Sequence, residues 1–342
     1  MTPAPYQLPG LPRADRCLVM GVVNVTPDSF SDGGQWYGAD AAIAHGLELA
    51  AQGADIVDVG GESTRPGAQR ISQEEELRRI GPVVTELVRA GLPVSIDTMR
   101  APVAEFALDA GVQLVNDVSG GLADPDMPRL VAAAGVSYVV MHWRGHSHDM
   151  YSRAVYADVV GEVRDELARR VDAVVHAGVD PGCIVLDPGL GFGKRAEHNW
   201  PLLTHLADVG TLAGGTFPVL VGASRKRFLG NLLAGPDGTP RPFGDCDGAT
   251  VAVTALAAAD AWCVRVHQVP LNADAVRVAA AWRDAAAAGT AGPPLPVVRG
   301  VTGRSLPCAT AWCWPWAATW ATGWVPFRDA CKPSAGCRIL TC

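Results

Sequence analysis

One pattern in this sequence constrains the fold more than any other. Eight times, a short β-branched apolar run gives way to a longer stretch rich in Ala, Leu, Glu and Arg with helical spacing. The runs are CLVMGVVNV (17–25), DIVDVGG (55–61), PVSIDT (93–98), QLVNDV (113–118), SYVVMH (137–142), CIVLDPG (183–189), PVLVGAS (218–224) and CVRVHQV (263–269). Helices are predicted near 39–52, 73–90, 101–110, 125–134, 157–177, 197–208, 225–233 with 248–260, and 272–287. Gly often stands where a helix must stop before the next strand, as at Gly111, Gly135 and Gly178. Strands without polar alternation, each followed by a helix, predict a parallel sheet covered by helices. Units of similar length repeated eight times favour closure into a single-domain α/β fold, the (β/α)8 TIM barrel, over an open doubly wound sheet.

Composition narrows the partners. The 342-residue chain carries a net charge of −7, which argues against a general nucleic-acid or anionic-membrane surface but leaves room for a local basic pocket. No apolar run reaches the ~18 residues needed to span a bilayer. MTPAPYQLPGLPRADR has no basic segment leading into an apolar core, so no signal peptide is expected and the location is read as cytoplasmic. Cys17, Cys183, Cys246 and Cys263 mostly sit in apolar runs, which suits buried free thiols in a reducing compartment.

A barrel of this kind builds its site at the C-terminal strand ends. There the sequence places Asn24, Glu62, Asp97, Asn116, His142, Asp187, Ser224, Arg265 and His267. Asp97, Asn116 and Asp187 bring two carboxylates and an amide to one rim, a set suited to a flat heterocycle with an amino-amide edge. A pair of acids could also serve a glycosidase, but Lys226, Arg265 and His267 on the same rim weigh against that. Arg265 and His267 are two apart on a strand and point the same way. Facing the mouth they form an anion clamp; the alternative is a buried arginine paired with a neighbouring acid.

Four loops stand out. NVTPDSFSDGG (24–34) and GGESTRPGAQRIS (60–72) follow consecutive strands and read as a pair of lids, with Arg65 placed to meet an anion. DPGLGFGKRAEHN (187–199) satisfies neither phosphate-binding glycine pattern, so its glycines read as allowing backbone to approach a ligand. HWRGHSHDM (142–150) comes close to a zinc-hydrolase pattern, but the spacing is off by one and a histidine is missing, so it reads as a solvated loop.

NVTPDSFSDGG, VGGESTRPG, SIDT, NDVSGG, DPGLGFGK, GASRKRFLG and RVH occur in this order, one per strand end, from about Cys17 to Arg283. In this the chain resembles dihydropteroate synthase, a sulfonamide-inhibited family of pterin-binding barrels in folate biosynthesis. The resemblance implies condensation of 6-hydroxymethyl-7,8-dihydropterin diphosphate with p-aminobenzoate, giving 7,8-dihydropteroate and pyrophosphate. It assigns the pterin to Asp97, Asn116, Asp187 and Lys226, and the diphosphate to Thr64, Arg265 and His267. Ser224 and Arg65 fall at the p-aminobenzoate end. Asp97 and Lys226 are expected in catalysis, with Phe30 covering the arylamine ring and Asp32 arranging metal-bound water or the departing pyrophosphate. Asn24 is expected to contribute to Mg²⁺, and a homodimer is expected. A pterin-dependent methyltransferase would not need GGESTRPG, SRK or RVH. A binding-only paralogue would show damage at Asp97, Lys226 or a lid, and none is seen.

The chain departs from the family twice. Gln268 stands where Asp usually follows the RVH histidine; strand parity turns it away from His267, so altered supporting contacts are expected and not lost chemistry. Residues 288–342 have no family counterpart and hold five of the ten Trp and five of the nine Cys. The cysteine spacing fits no common zinc pattern, and the segment reads as translation out of frame, and as disordered, more than as a packed element or an interaction tail. The expected organisation is an N-terminal extension (1–16), the barrel (17–287) and this tail.

Overall fold

Eight parallel strands form the centre of the computed structural model: β1 Leu18–Asn24, β2 Ile56–Gly60, β3 Val94–Asp97, β4 Leu114–Asp117, β5 Ser137–Met141, β6 Ile184–Asp187, β7 Leu220–Val221 and β8 Cys263–Val266. The structure describes residues 6–26, 35–63, 69–145, 152–213 and 215–289. Pairing runs in chain order from β6 back to β1, then to β8 and β7. A parallel bridge between Leu186 and Val219 joins β6 to the start of β7 and closes the ring. The Leu186 N–H donates to the Pro218 carbonyl at 2.8 Å there. The fold is the (β/α)8 barrel that the eight-fold alternation predicts.

Each strand is buried on both faces, which explains its lack of polar alternation. Val57, Val59, Val94, Ile96, Val264 and Val266 pack outward against the helices. The alternate positions point into the barrel. Near the N-terminal strand ends these are apolar: Leu18, Met20, Ile56, Leu114, Val185 and Leu220. Leu8 and Leu11 pack into the same cluster with Trp262. Residues 6–16, the described part of the expected N-terminal extension, plug the floor of the barrel, because its lowest apolar layer would otherwise face water.

Local chemistry sets the helix limits. Ser72 Oγ accepts the Glu75 N–H at 3.2 Å, capping the helix Gln73–Arg89, whose first turn holds three glutamates. Asp158 does the same for the helix Val159–His176. Gly135 ends the helix Met127–Ala134 in the left-handed region, at φ 64°. The helix expected over 197–208 breaks at His205 into Ala196–Thr204 and Leu206–Gly210. The last helix, Val269–Gly289, runs just past the expected boundary at 287; the rest of the tail lies outside the described residues. Cys17, Cys183, Cys246 and Cys263 are buried free thiols. Among the described residues, no helix is long and apolar enough to cross a membrane.

Candidate active site

A cavity of about 820 Å³ opens at the C-terminal ends of the strands. Asn24, Asp97, Asn116, Asp187, Ser224, Lys226, Arg265 and His267 all line it. They converge because each lies in phase with the inward side chains of its strand or just beyond the strand end. Val118, Met141 and Phe192 add an apolar wall, suited to one face of a flat ring.

Arg265 holds the floor together. Its Nε donates to Asp58 Oδ2 at 2.6 Å and its Nη2 to Asp97 Oδ2 at 2.8 Å. It is thus an arginine paired with acids and also a residue of the cavity lining; the two sequence readings are not exclusive. Burial by itself would lower the pKa of a guanidinium, but the Asp58 and Asp97 charges outweigh it and hold Arg265 above its ordinary value. Asn116 Nδ2 donates to the same Asp58 oxygen at 3.1 Å. Asp58 was missed in the sequence reading. Its signal was present: a lone acid in IVDVG, at the inward parity of an otherwise apolar strand.

Burial pushes the Asp97 carboxyl up to about 7; Arg265 opposes this, while Asp58, Glu76 and Asp117 add to it. Burial also raises Asp187, against the pull of Lys226 and of a 2.6 Å hydrogen bond from the Gly189 N–H. Burial lowers Lys226 to about 8, although Asp187 favours its charged form. The Lys226 ammonium donates to the Leu190 carbonyl and lies 4.7 Å from the centre of the Phe192 ring. Ser224 Oγ accepts the His267 N–H at 3.2 Å and lies 3.0 Å from its Nδ1, so β8 and the end of β7 are pinned together.

Two strand-end residues face elsewhere. Glu62 accepts from Arg100 at 2.8 Å and from the Ile71 N–H at 3.0 Å, holding together the ends of the segment between β2 and the helix Gln73–Arg89. His142 is buried against Glu166 (2.9 Å) and Lys194 (2.8 Å). Burial and the lysine charge lower it to about 4, so the imidazole is neutral near pH 7, accepting at Nδ1 and donating at Nε2. Lys194 also donates to the Gly189 and Phe192 carbonyls at 3.0 and 3.1 Å. The glycines of DPGLGFGK therefore answer to the protein itself. A Cβ on Gly189 would lie 2.3 Å from the His142 carbonyl oxygen, and φ there is 67°. Gln268 Oε1 accepts the Leu271 N–H at 3.0 Å, a helix-capping contact directed away from the cavity.

Phe30, Asp32, Thr64 and Arg65 lie outside the described residues, as do His146, His148 and Asp149. Among the described residues, no group of three or more His, Cys, Asp or Glu could hold a metal ion. Asn24 reaches the cavity from the end of β1 beside Thr26 and Ser63. It offers one amide oxygen, which fits a cation whose other ligands come from phosphate and water.

A family described as pterin binding enzyme matches residues 20–267. The dihydropteroate synthase of Mycobacterium leprae (strain TN) is 56% identical over 266 residues, 77% of this chain and 93% of its own. The solved structure of Xanthomonas albilineans dihydropteroate synthase with 4-aminobenzoic acid superposes with a TM-score of 0.72 at 42% identity, covering 84% of this chain and 100% of that one. That of Burkholderia cenocepacia dihydropteroate synthase with 7,8-dihydropteroate gives 0.74 at 37% identity, over 84% and 99% of the two chains. Matched from the first strand to the histidine that closes the last, and built around the same kind of barrel, the chain belongs to the pterin binding enzymes, in the dihydropteroate synthase family.

Proposed function

We infer that this protein is a transferase of folate biosynthesis that joins p-aminobenzoate to 6-hydroxymethyl-7,8-dihydropterin diphosphate, releasing 7,8-dihydropteroate and pyrophosphate. The observation that carries this reading is the cavity floor. Three acceptor groups, Asp97, Asn116 and Asp187, face one apolar-walled space with Lys226 and Arg265 beside them. A pterin offers N–H groups along one edge for the acids and an acceptor for Lys226. Relatives solved with 4-aminobenzoic acid and with 7,8-dihydropteroate support the two ends of the reaction.

In this reading the bond between the exocyclic methylene and the diphosphate breaks first, and the electron pair leaves with pyrophosphate. The arylamine nitrogen then attacks the methylene and loses a proton. Asp97 stabilises the delocalised cation formed between these events, and the protein's other task is to keep water from it. Arg265, His267 and Thr64 hold the diphosphate, and Ser224 and Arg65 serve the arylamine end. Phe30 and Asp32 keep the roles the resemblance implies, towards the arylamine ring and the departing pyrophosphate. Asn24 would hold Mg²⁺ together with diphosphate oxygens; the ion when bound neutralises charge on the leaving group.

The reading carries with it a cytoplasmic homodimer. Leu256, Val278 and Trp282 support the dimer, being 80%, 63% and 79% exposed on the last two helices. Pyrophosphate release from purified protein given both substrates and Mg²⁺ tests the activity. Pterin binding without release would replace it with the binding-only alternative, and loss of the Mg²⁺ requirement would remove Asn24 from its role.

A further inference from the structure

Asp58 sits one layer below the cavity, on the inward face of β2, and is fully buried. Its Oδ2 takes hydrogen bonds from both Arg265 Nε and Asn116 Nδ2, at 2.6 and 3.1 Å. That oxygen carries no proton of its own, and its ion pair with the Arg265 guanidinium makes the group a carboxylate. A carboxylate only accepts, so the Asn116 atom turned towards it is the NH₂. The other end of that amide, the carbonyl oxygen, is then left to the cavity that Asn116 lines. The remaining Asp58 oxygen, Oδ1, is buried with no hydrogen-bond partner among the described residues. A carboxylate buried this deeply in a strand is an arrangement that packing alone does not require.

We propose that Asp58 is a specificity-determining positioning residue: by holding the Asn116 amide with its oxygen outward, and Arg265 against Asp97, it makes the floor accept a ligand edge made of N–H donors. The inference rests on the pterin reading above and says why that floor has one polarity. With Asp58 in place, Asp97, Asn116 and Asp187 all present acceptors. With a neutral amide at position 58, the Asn116 side chain is free to turn and present its NH₂, which repels a donor edge. Asp58 does not line the cavity itself and acts through Asn116 and Arg265.

The test uses the full chain and 6-hydroxymethyl-7,8-dihydropterin diphosphate with Mg²⁺, titrated by calorimetry. Asp58→Asn should weaken binding by ~10- to 100-fold, the range for a lost hydrogen bond with a charged partner. KM for p-aminobenzoate, measured at saturating pterin, should stay within about three-fold. The reversed pair, Asp58→Asn with Asn116→Asp, restores an amide donor below and a carboxylate acceptor facing the ligand. It should recover most of the lost affinity. The thermal midpoint of each variant is measured alongside. The proposal is overturned if Asp58→Asn binds within two-fold of the unaltered protein, if the reversed pair binds no better than the single variant, or if both substrates lose equally. Failure of the unaltered protein to bind the pterin would instead sink the functional reading, before any variant is compared.

Discussion

The two halves of the barrel interior are made from the same alternate strand positions and do opposite things. The lower half is apolar, with Met20, Ile56, Leu114 and Val185 sealed by Leu8, Leu11 and Trp262. The upper half carries Asp58, Asp97, Asn116, Asp187 and Arg265 within the same ring of strands. On β2 the change takes two residues, from Ile56 to Asp58. The lower layers gain stability from area removed from water. The upper layer gives up that gain and orders charged groups that are largely buried, where they act strongly on a ligand. Stability and chemistry are thus stacked along one axis, and substitutions in the two halves should separate them.

The largest separation is expected at Asp97. Asp97→Asn keeps the shape and leaves Arg265 its bond to Asp58, yet removes the charge assigned to the cationic intermediate. The catalytic rate should fall by ~10²- to 10³-fold, while the thermal midpoint moves by only a few degrees. A rate within ten-fold of the unaltered protein would remove Asp97 from that role. The mirror case is Ile56→Ala, two layers lower. It should lose ~2–5 kcal/mol of stability in denaturant melts with turnover nearly unchanged at temperatures where the protein is folded. Loss of turnover in proportion to stability would mean the halves are coupled.

A pH profile sharpens the same contrast with a smaller effect. The unliganded site needs Asp97 ionised, above its value of about 7, and Lys226 charged, below its value of about 8. kcat/KM should therefore rise about ten-fold per unit on the acid side, flatten near neutrality and fall on the alkaline side. Around Asp97 the charged groups are Asp58, Glu76, Asp117, Arg265 and Lys226, so Glu76→Gln should move the acid limb to lower pH. A flat profile from pH 6 to 9 would contradict the assignment. The smallest effect is expected outside both halves. Gln268→Asp replaces one capping acceptor of the last helix by another, and kcat should stay within about three-fold. A restoration by orders of magnitude would show that Gln268 impairs the chemistry.

Most of the architecture was legible in the sequence, because a parallel strand buried on both faces must be apolar throughout and a covering helix must not be. The strand-end positions followed from the same periodicity, and motif order pointed to the family. Three things were not legible. Glu62 and His142 have the same strand-end position as the floor residues, yet their partners Arg100, Glu166 and Lys194 come from distant segments. Residues 6–16 lack any strong pattern, and only the closed barrel gives Leu8 and Leu11 a cavity to fill. Asp58 looked like an interruption in an apolar strand until Arg265 arrived from 207 residues away.

Local order in this chain was thus determined by the sequence alone: which segments are strands, which are helices, where the glycines stop them, and which way each strand side chain points relative to its neighbours. Those are properties of period and backbone sterics, readable a few residues at a time. Which inward-pointing charge meets which was decided only by the tertiary structure. Closing the ring brings β2, β3, β4 and β8 around one axis, and the pairing of Asp58, Asp97, Asn116 and Arg265 exists only there, where burial makes each charge depend on the others.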